Sequence, residues 1–457
     1  MDRAKQLGEE RILRLLFKFS VPAIIGMLVN ALYNIVDRIF IGNSVGRLGL
    51  AGITISFPIM IIGMAFSMLI AFGANALISI RLGEKKNQEA EKIMGNAVVL
   101  LVITALLLTI VGIIFLEPLL VLFGSDETVL PFAKAYMQII LLGNVFMTLG
   151  FGLNNFIRAE GNPQVAMYTM LIGAVVNIVL DYLFIFIFDW GMEGAAYATI
   201  ISQFITALWV FYYFLSGSSL LKLRKVNLQI EAHFVRKIIA IGSPPFAMQI
   251  AASLLNVIMN NSLNNYGGDI AIAGMGIIHS FTALIIMPVV GISQGAQPII
   301  GFNYGAQKFD RVKEALKLAS IAATVIVTIG FIFTRVYPAE IIALFNQEDQ
   351  ALINFGAHAL SLFLILLPII GFQIIGSSYF QAVGKPKSAM FLTLSRQVLL
   401  LIPLLLILPR FYGLDGILYA GPLADLGAAV LTAVWLLMEL KKLDAKHRET
   451  LVPEPAK

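Results

Sequence analysis

Long stretches of this chain carry no charge. Residues 48–80, 93–116, 135–157, 194–221, 238–268, 270–307 and 350–384 contain no Lys, Arg, Asp or Glu. Shorter or interrupted apolar runs fill 19–36, 161–180, 318–334, 397–409 and 426–438. A helix that crosses a bilayer needs about 20 predominantly apolar residues. The pattern therefore predicts an all-α polytopic membrane protein of twelve helices, 1 to 12 in chain order. They centre near residues 30, 65, 105, 145, 176, 204, 250, 287, 325, 366, 400 and 428.

The polar positions between these runs alternate in charge. On the side of the N-terminus the tails and alternate loops hold 25 Lys and Arg, including the clusters Arg81 to Lys92 and Lys222 to Lys237. The opposite side holds only four: Arg47, Lys134, Arg335 and Arg410. Cytoplasmic loops carry the excess of Lys and Arg, so both termini are expected in the cytoplasm. A wrong helix count would scramble the alternation, which supports twelve. The amphipathic N-terminus has no small-residue cleavage site before its first apolar run and reads as a cytoplasmic lead-in to helix 1.

Composition sharpens this picture. The chain is 59% hydrophobic and 13% charged, about half the charge of an average soluble domain, so lipid must serve as its solvent. No cysteine is present, which excludes disulfides and thiol chemistry. Four histidines without an acid cluster argue against a metal site. The net charge of +5 comes from the loops and gives no sign of nucleic-acid binding.

The two halves repeat each other at an offset of 222 residues. Pro22 matches Pro244, Asn34 matches Asn256, Gly46 matches Gly268 and Gly73 matches Gly295. The run Gly191, Gly194, Tyr197, Ala198 matches Gly413, Gly416, Tyr419, Ala420. After helices 4 and 10 the offset becomes 223, where RAEGNPQVAM (158–167) matches QAVGKPKSAM (381–390). Six helices per half make the repeat parallel, with the solute path expected between two lobes. The expected division is an N-terminal lobe 1–215, a cytoplasmic linker 216–237, a C-terminal lobe 238–440 and a cytoplasmic tail 441–457.

Ionisable residues are costly inside a span and mark function by default. Helix 1 carries Asp37 and Arg38, helix 5 Asp181, helix 8 His279, helix 10 His358, helix 11 Arg396 and helix 12 Asp425. Asn30, Asn34 and Asp37 share one face of helix 1, and Gly173, Asn177 and Asp181 share one face of helix 5. Both acids sit roughly 12–15 Å below the outer surface at the helical rise per residue. Low dielectric favours the neutral form of a carboxyl group, so such a pair takes a proton or holds a cation with help from Asn carbonyls. The competing structural reading has Asp181 capping a broken helix and Asp37 pairing with Arg38, although adjacent helical residues point apart. The second half has Met259 at the Asp37 position, and Pro403 or Leu404 at the Asp181 position. Ion chemistry is therefore expected in the N-terminal lobe alone. Asn256, Asn260 and Asn264 form a stripe on helix 7 that serves as interhelical hydrogen-bond glue or as a solute-facing wall. His279 and Asp425 join them as candidates for a substrate cavity, while Arg396 reads as a helix lock or a snorkelling residue.

With these residues the chain resembles the multidrug and toxic compound extrusion (MATE) transporters, most of all their bacterial DinF-like and MepA-like branch. The resemblance runs over the whole chain and rests on Pro22 followed by YNIVDRIFIG (33–42), RAEGNP (158–163), NIVLD (177–181) and GAAYAT (194–199). It implies two six-helix lobes, alternating access, and export of amphipathic, often cationic drugs or metabolites driven by proton or sodium entry. It also implies an ion site comprising Asp37, Asp181 and Asn177, with Asn154 (Asn155 as the alternative), Thr199 and Tyr136. Asn34 joins this set from the helix-1 stripe. No cofactor is expected, and no metal beyond sodium at Asp37 and Asp181. The partners are a small-molecule substrate and the bilayer of a bacterial plasma membrane, with the chain acting as a monomer. The NorM-like branch uses acids in the second lobe, and this chain departs from it because helices 7 to 11 hold none away from their ends. The alternative within the superfamily is a flippase for a lipid-linked or amphipathic substrate. An intramembrane enzyme is disfavoured, since no HExxH and no nucleophile–base set occurs.

Overall fold

The computed structural model describes residues 3–345 and 347–451, so Lys457 and the end of the 441–457 tail lie outside the described residues. Those residues form helices and turns with no strand among them. Helices 1 to 6 run Ile12–Ser44, Arg47–Gly83, Asn87–Ile114, Leu130–Ala159, Pro163–Ile187 and Gly191–Leu215. Helices 7 and 8 form one 74-residue stretch, Ala232–Gly305, that breaks at Gly268, where φ is 59°. At 1.5 Å per residue this stretch is far too long for one crossing, so 232–267 and 269–305 are separate spans. Helix 9 is Phe309–Val336 and helix 11 is Pro386–Ile407. Helix 12 follows a second break at Gly413, where φ is 56°. These breaks fall where the repeat places Gly46 and Gly191, and glycine alone enters this region of φ without strain.

Helix 10 is the bent member. Gln350–Phe363 and Leu367–Ala382 meet at 50°. Pro368 follows the break and cannot donate the hydrogen bond that would carry the first segment onward. Helix 4, its counterpart, has no proline there and runs straight through 30 residues. Two further irregularities are π-helical turns, Tyr182–Ile187 in helix 5 and Ser395–Leu401 in helix 11.

The chain forms two compact units. The first comprises residues 1–9 and 25–246, and the second residues 10–24 and 247–457. The opening of helix 1 thus packs with the second repeat, and the opening of helix 7 packs with the first. In the first unit helix 4 is central and lies against helices 2, 3 and 6. Gly73 of helix 2 meets the start of helix 7 so closely that a Cβ there would lie 2.0 Å from the Ile238 carbonyl oxygen. In the second unit the matching Gly295 meets helix 1, where a Cβ would lie 2.7 Å from the Ser20 nitrogen. One repeated glycine therefore performs the same close backbone approach in both units. There helix 10 packs against helices 9 and 12.

Candidate functional site

The first unit brings the two predicted acids together. Asp181 is fully buried at the last α-helical position of helix 5, directly before the π-helical turn. Asp37 and Asn177 are also buried. Both oxygens of Asp181, Oδ1 of Asp37 and both side-chain polar atoms of Asn177 have no hydrogen-bond partner. The charges of Asp37 and Asp181 interact with each other and with the hydroxyls of Tyr33 and Tyr136. Tyr136 is buried beside the Thr199 hydroxyl. Arg38 forms no salt bridge with Asp37, although its charge still acts on that acid; its guanidinium stands 5.9 Å over the Phe57 ring of helix 2.

On the side of the 44–47 turn the acids are covered by an apolar cluster. It includes Ile41 and Ile185, each four residues past an acid, with Tyr136, Met192, Ala195 and Ala196. On the other side lies a cavity of about 160 Å³ lined by Asn177, Asn154, Thr199, Tyr33, Phe146, Met147, Met170 and Arg158 among others. Asp37, Asp181 and Tyr136 are not among its lining residues, whereas Asn177 belongs to both the acid site and the cavity. Asn154 donates to the Ala166 carbonyl at 2.8 Å and accepts from Arg158 at 2.5 Å. Asn34 differs from the rest of the set: it is exposed, and its amide turns back to the Asn30 carbonyl at 2.6 Å.

Tyr33 and Arg158 are the two lining residues of most chemical interest that were not picked out from the sequence as site residues. Tyr33 is one turn from Asp37, a spacing that could have flagged it. Arg158 counts among the loop cations by its position, yet it is buried in the last turn of helix 4. Its charge stands in the cavity wall instead of in a solvated loop.

In the second unit Asn256, Asn260 and Asn264 are exposed along helix 7. Asp425 is buried, and Arg396 donates to it from Nε at 2.5 Å. His279 is exposed and packs on Phe363, with ring centroids 6.0 Å apart. No group of three or more His, Cys, Asp or Glu suited to a metal ion occurs among the described residues.

Duplicated helical units, each dominated by apolar spans and one holding buried acids beside a cavity of mixed polar and apolar wall, define a membrane transporter. The MatE family model matches residues 22–183 and again 244–407, so its two matches begin 222 residues apart, as the repeat does. The chain belongs to the MatE family, and it is a transporter and not an enzyme. The multidrug export protein MepA of Staphylococcus aureus strain MRSA252 is 28% identical over 441 residues, covering 95% of this chain and 96% of that protein. MepA of Staphylococcus saprophyticus is 28% identical over 431 residues, covering 93% and 94%. Among solved structures, a MATE in the bent conformation superposes with a TM-score of 0.92 at 23% identity, covering 98% of this chain and 99% of that one. A MOP superfamily transporter from Pyrococcus furiosus gives 0.91 at 24% identity, covering 97% and 99%. These two likenesses establish the fold.

Proposed function

We propose that this chain is an antiporter that exports amphipathic, often cationic drugs or metabolites in exchange for an entering ion, with Asp37 and Asp181 holding that ion. The observation that carries the reading is the set of buried, partnerless carboxylate oxygens in an apolar unit. A buried carboxylate without a hydrogen bond is costly. It becomes stable when it takes a proton or when a cation sits against it. Both answers couple the acid to an ion gradient. The name borne by the MepA relatives supports multidrug export, and the Phe and Met side chains of the cavity supply an adaptable apolar wall for such compounds.

Proton entry is the leading coupling reaction. Two interacting acids in one apolar unit resist carrying two charges at once, and burial outweighs the opposing charge of Arg38 at Asp37. Sodium is the alternative, because Asn177 and the two carboxylates offer hard oxygen ligands. In sodium-free proteoliposomes a proton gradient alone is expected to drive counterflow of a lipophilic cation such as ethidium. Transport that requires sodium and ignores pH would overturn the proton assignment and leave the two acids as the site.

The same reading puts both termini in the cytoplasm of a bacterium and the Asp126 loop outside. The chain has no native cysteine to interfere with labelling. A cysteine at Asp126, which is exposed, should react with an impermeant maleimide in intact cells, and one at exposed Lys86 should not. Reversed labelling would refute the orientation.

A further inference from the structure

The second unit contains a charged group that the ion site does not use. Arg396 sits in the π-helical turn of helix 11 and grips Asp425 of helix 12 through Nε alone. Its side chain is 26% exposed while that of Asp425 is 4% exposed. The two terminal nitrogens of Arg396 make no hydrogen bond among the described residues. Their N–H groups form a planar fork that matches a carboxylate with two parallel bonds. The repeat relation shows which way this pair faces. Asp425 corresponds to Gln203 at the offset of 222, and Arg396 to Gly173 at 223. Gln203 and Gly173 both line the cavity of the first unit. The second unit has replaced two cavity-wall positions with a fixed cation and the acid that aims it. Exposed His279 of helix 8 lies within electrostatic reach of Arg396 and adds a further N–H donor.

We propose that Arg396, oriented by Asp425, binds the carboxylate of a small amphiphile, so that the second unit admits anionic and zwitterionic ligands as well as cations. A partly exposed guanidinium with an unmet fork deep in a span is expensive unless something polar meets it. Lipid phosphate is the other source of an oxyanion, and depth disfavours it. Arg396 is the eleventh residue of the 22-residue span Pro386–Ile407, far from either headgroup layer. Asp425 is the positioning residue: it touches no ligand but holds the fork in one plane.

This inference rests on the export reading only for the source of the ligand, and its test needs no gradient. The full chain in phosphatidylcholine nanodiscs is titrated by fluorescence anisotropy with a carboxyrhodamine zwitterion and with its methyl ester, which lacks the anion. The unsubstituted protein should bind the carboxylate form at least as tightly as the ester; a preference for the ester would overturn the proposal without any variant. Arg396→Gln should weaken the carboxylate dye about tenfold, the loss of one charge-assisted interaction, and leave the ester nearly unchanged. Arg396→Lys keeps the counter-charge of Asp425 but not the fork. It should give an intermediate ratio, and it serves as the test where Arg396→Gln does not fold. Equal losses for both dyes, or none, would refute carboxylate recognition. If phosphatidylglycerol nanodiscs abolish the carboxylate preference of the unsubstituted protein, an anionic lipid headgroup occupies Arg396 and the substrate assignment is wrong.

Discussion

Helices 5 and 11 are copies of one ancestral span, and each widens into a single π-helical turn, yet they have solved opposite electrostatic problems. Helix 5 places Asp181 at the edge of its π turn, buried and without a hydrogen-bond partner. Helix 11 places Arg396 inside its π turn and neutralises it with Asp425 at 2.5 Å. π turns recur at functional sites because they re-aim side chains without ending the helix. The first unit therefore leaves its buried acid unmet, which is what the proposed ion site requires, while the second carries its counter-ion covalently within the chain. A duplicated scaffold can keep its packing and still divide ion binding from ligand recognition, because the scaffold depends on glycines and not on these acids.

The strongest way to break the comparison is to neutralise each acid in turn. Asp181→Asn and Asp37→Asn keep the shape but remove the titrating group, and each should abolish gradient-driven export. Asp425→Asn should impair export less, since its charge serves Arg396. Dye efflux from proteoliposomes at matched protein incorporation measures all three. If Asp425→Asn is the most damaging, the ion site has been assigned to the wrong unit.

Stability should rank the same residues in the reverse order. Removing one member of a fully buried ion pair strands the other charge and costs about 3–5 kcal/mol, and the partial exposure of Arg396 reduces that cost here. Asp425→Asn and Arg396→Gln should therefore lower the thermal midpoint clearly, whereas the double change Arg396→Met with Asp425→Leu should recover most of it. Asp181→Asn strands nothing, because Asp181 has no partner to lose. Its midpoint should be unchanged or higher. A clear fall for Asp181→Asn would mean that the carboxylate makes a structural contact, and the contrast between the two spans would fail.

Much of this was legible in the sequence, and the reason differs by feature. Periods of apolar residues and alternating loop charge gave the twelve helices, because crossing a bilayer leaves few other solutions. The repeated glycines were visible as identities, and the structure supplies their cause: Gly73 and Gly295 are the points where helices 7 and 1 press backbone against backbone. Asp37 and Asp181 stood out because an acid in an apolar run has no cheap explanation. Other features depend on which helix becomes a neighbour. Nothing in the sequence pairs Arg396 with Asp425, 29 residues away on another helix. Nothing in it assigns 10–24 to the second unit and 232–246 to the first, since the 222-residue register runs through both. Arg158 was misleading for a related reason. A cation near a loop is usually solvated, but here the last turn of helix 4 is buried against Asn154 and the cavity.

The smallest effect expected lies at the cytoplasmic end of the first unit, where the repeat again diverges. Glu160 in RAEGNP corresponds to Val383 at the offset of 223. Its buried carboxylate accepts from the Tyr213 hydroxyl, from Ser219 Oγ at 2.5 Å and from the backbone nitrogens of Leu220 and Leu221 at 3.0 and 3.3 Å. Glu91 continues the same hold by accepting from the Lys222 nitrogen at 3.1 Å and the Asn227 amide at 3.2 Å. Only the first unit has a linker to fasten, which accounts for the valine in the second. Glu160→Gln replaces a charged acceptor with a neutral one and puts a donor among donors, so it should cost about 1–3 kcal/mol. The loss should be local and read as faster tryptic cleavage after Arg224 and Lys225, both exposed. Glu91→Gln should act in the same direction more weakly, because Glu91 accepts two of these hydrogen bonds where Glu160 accepts four. Unchanged cleavage in Glu160→Gln would show that packing, and not this carboxylate, holds the linker.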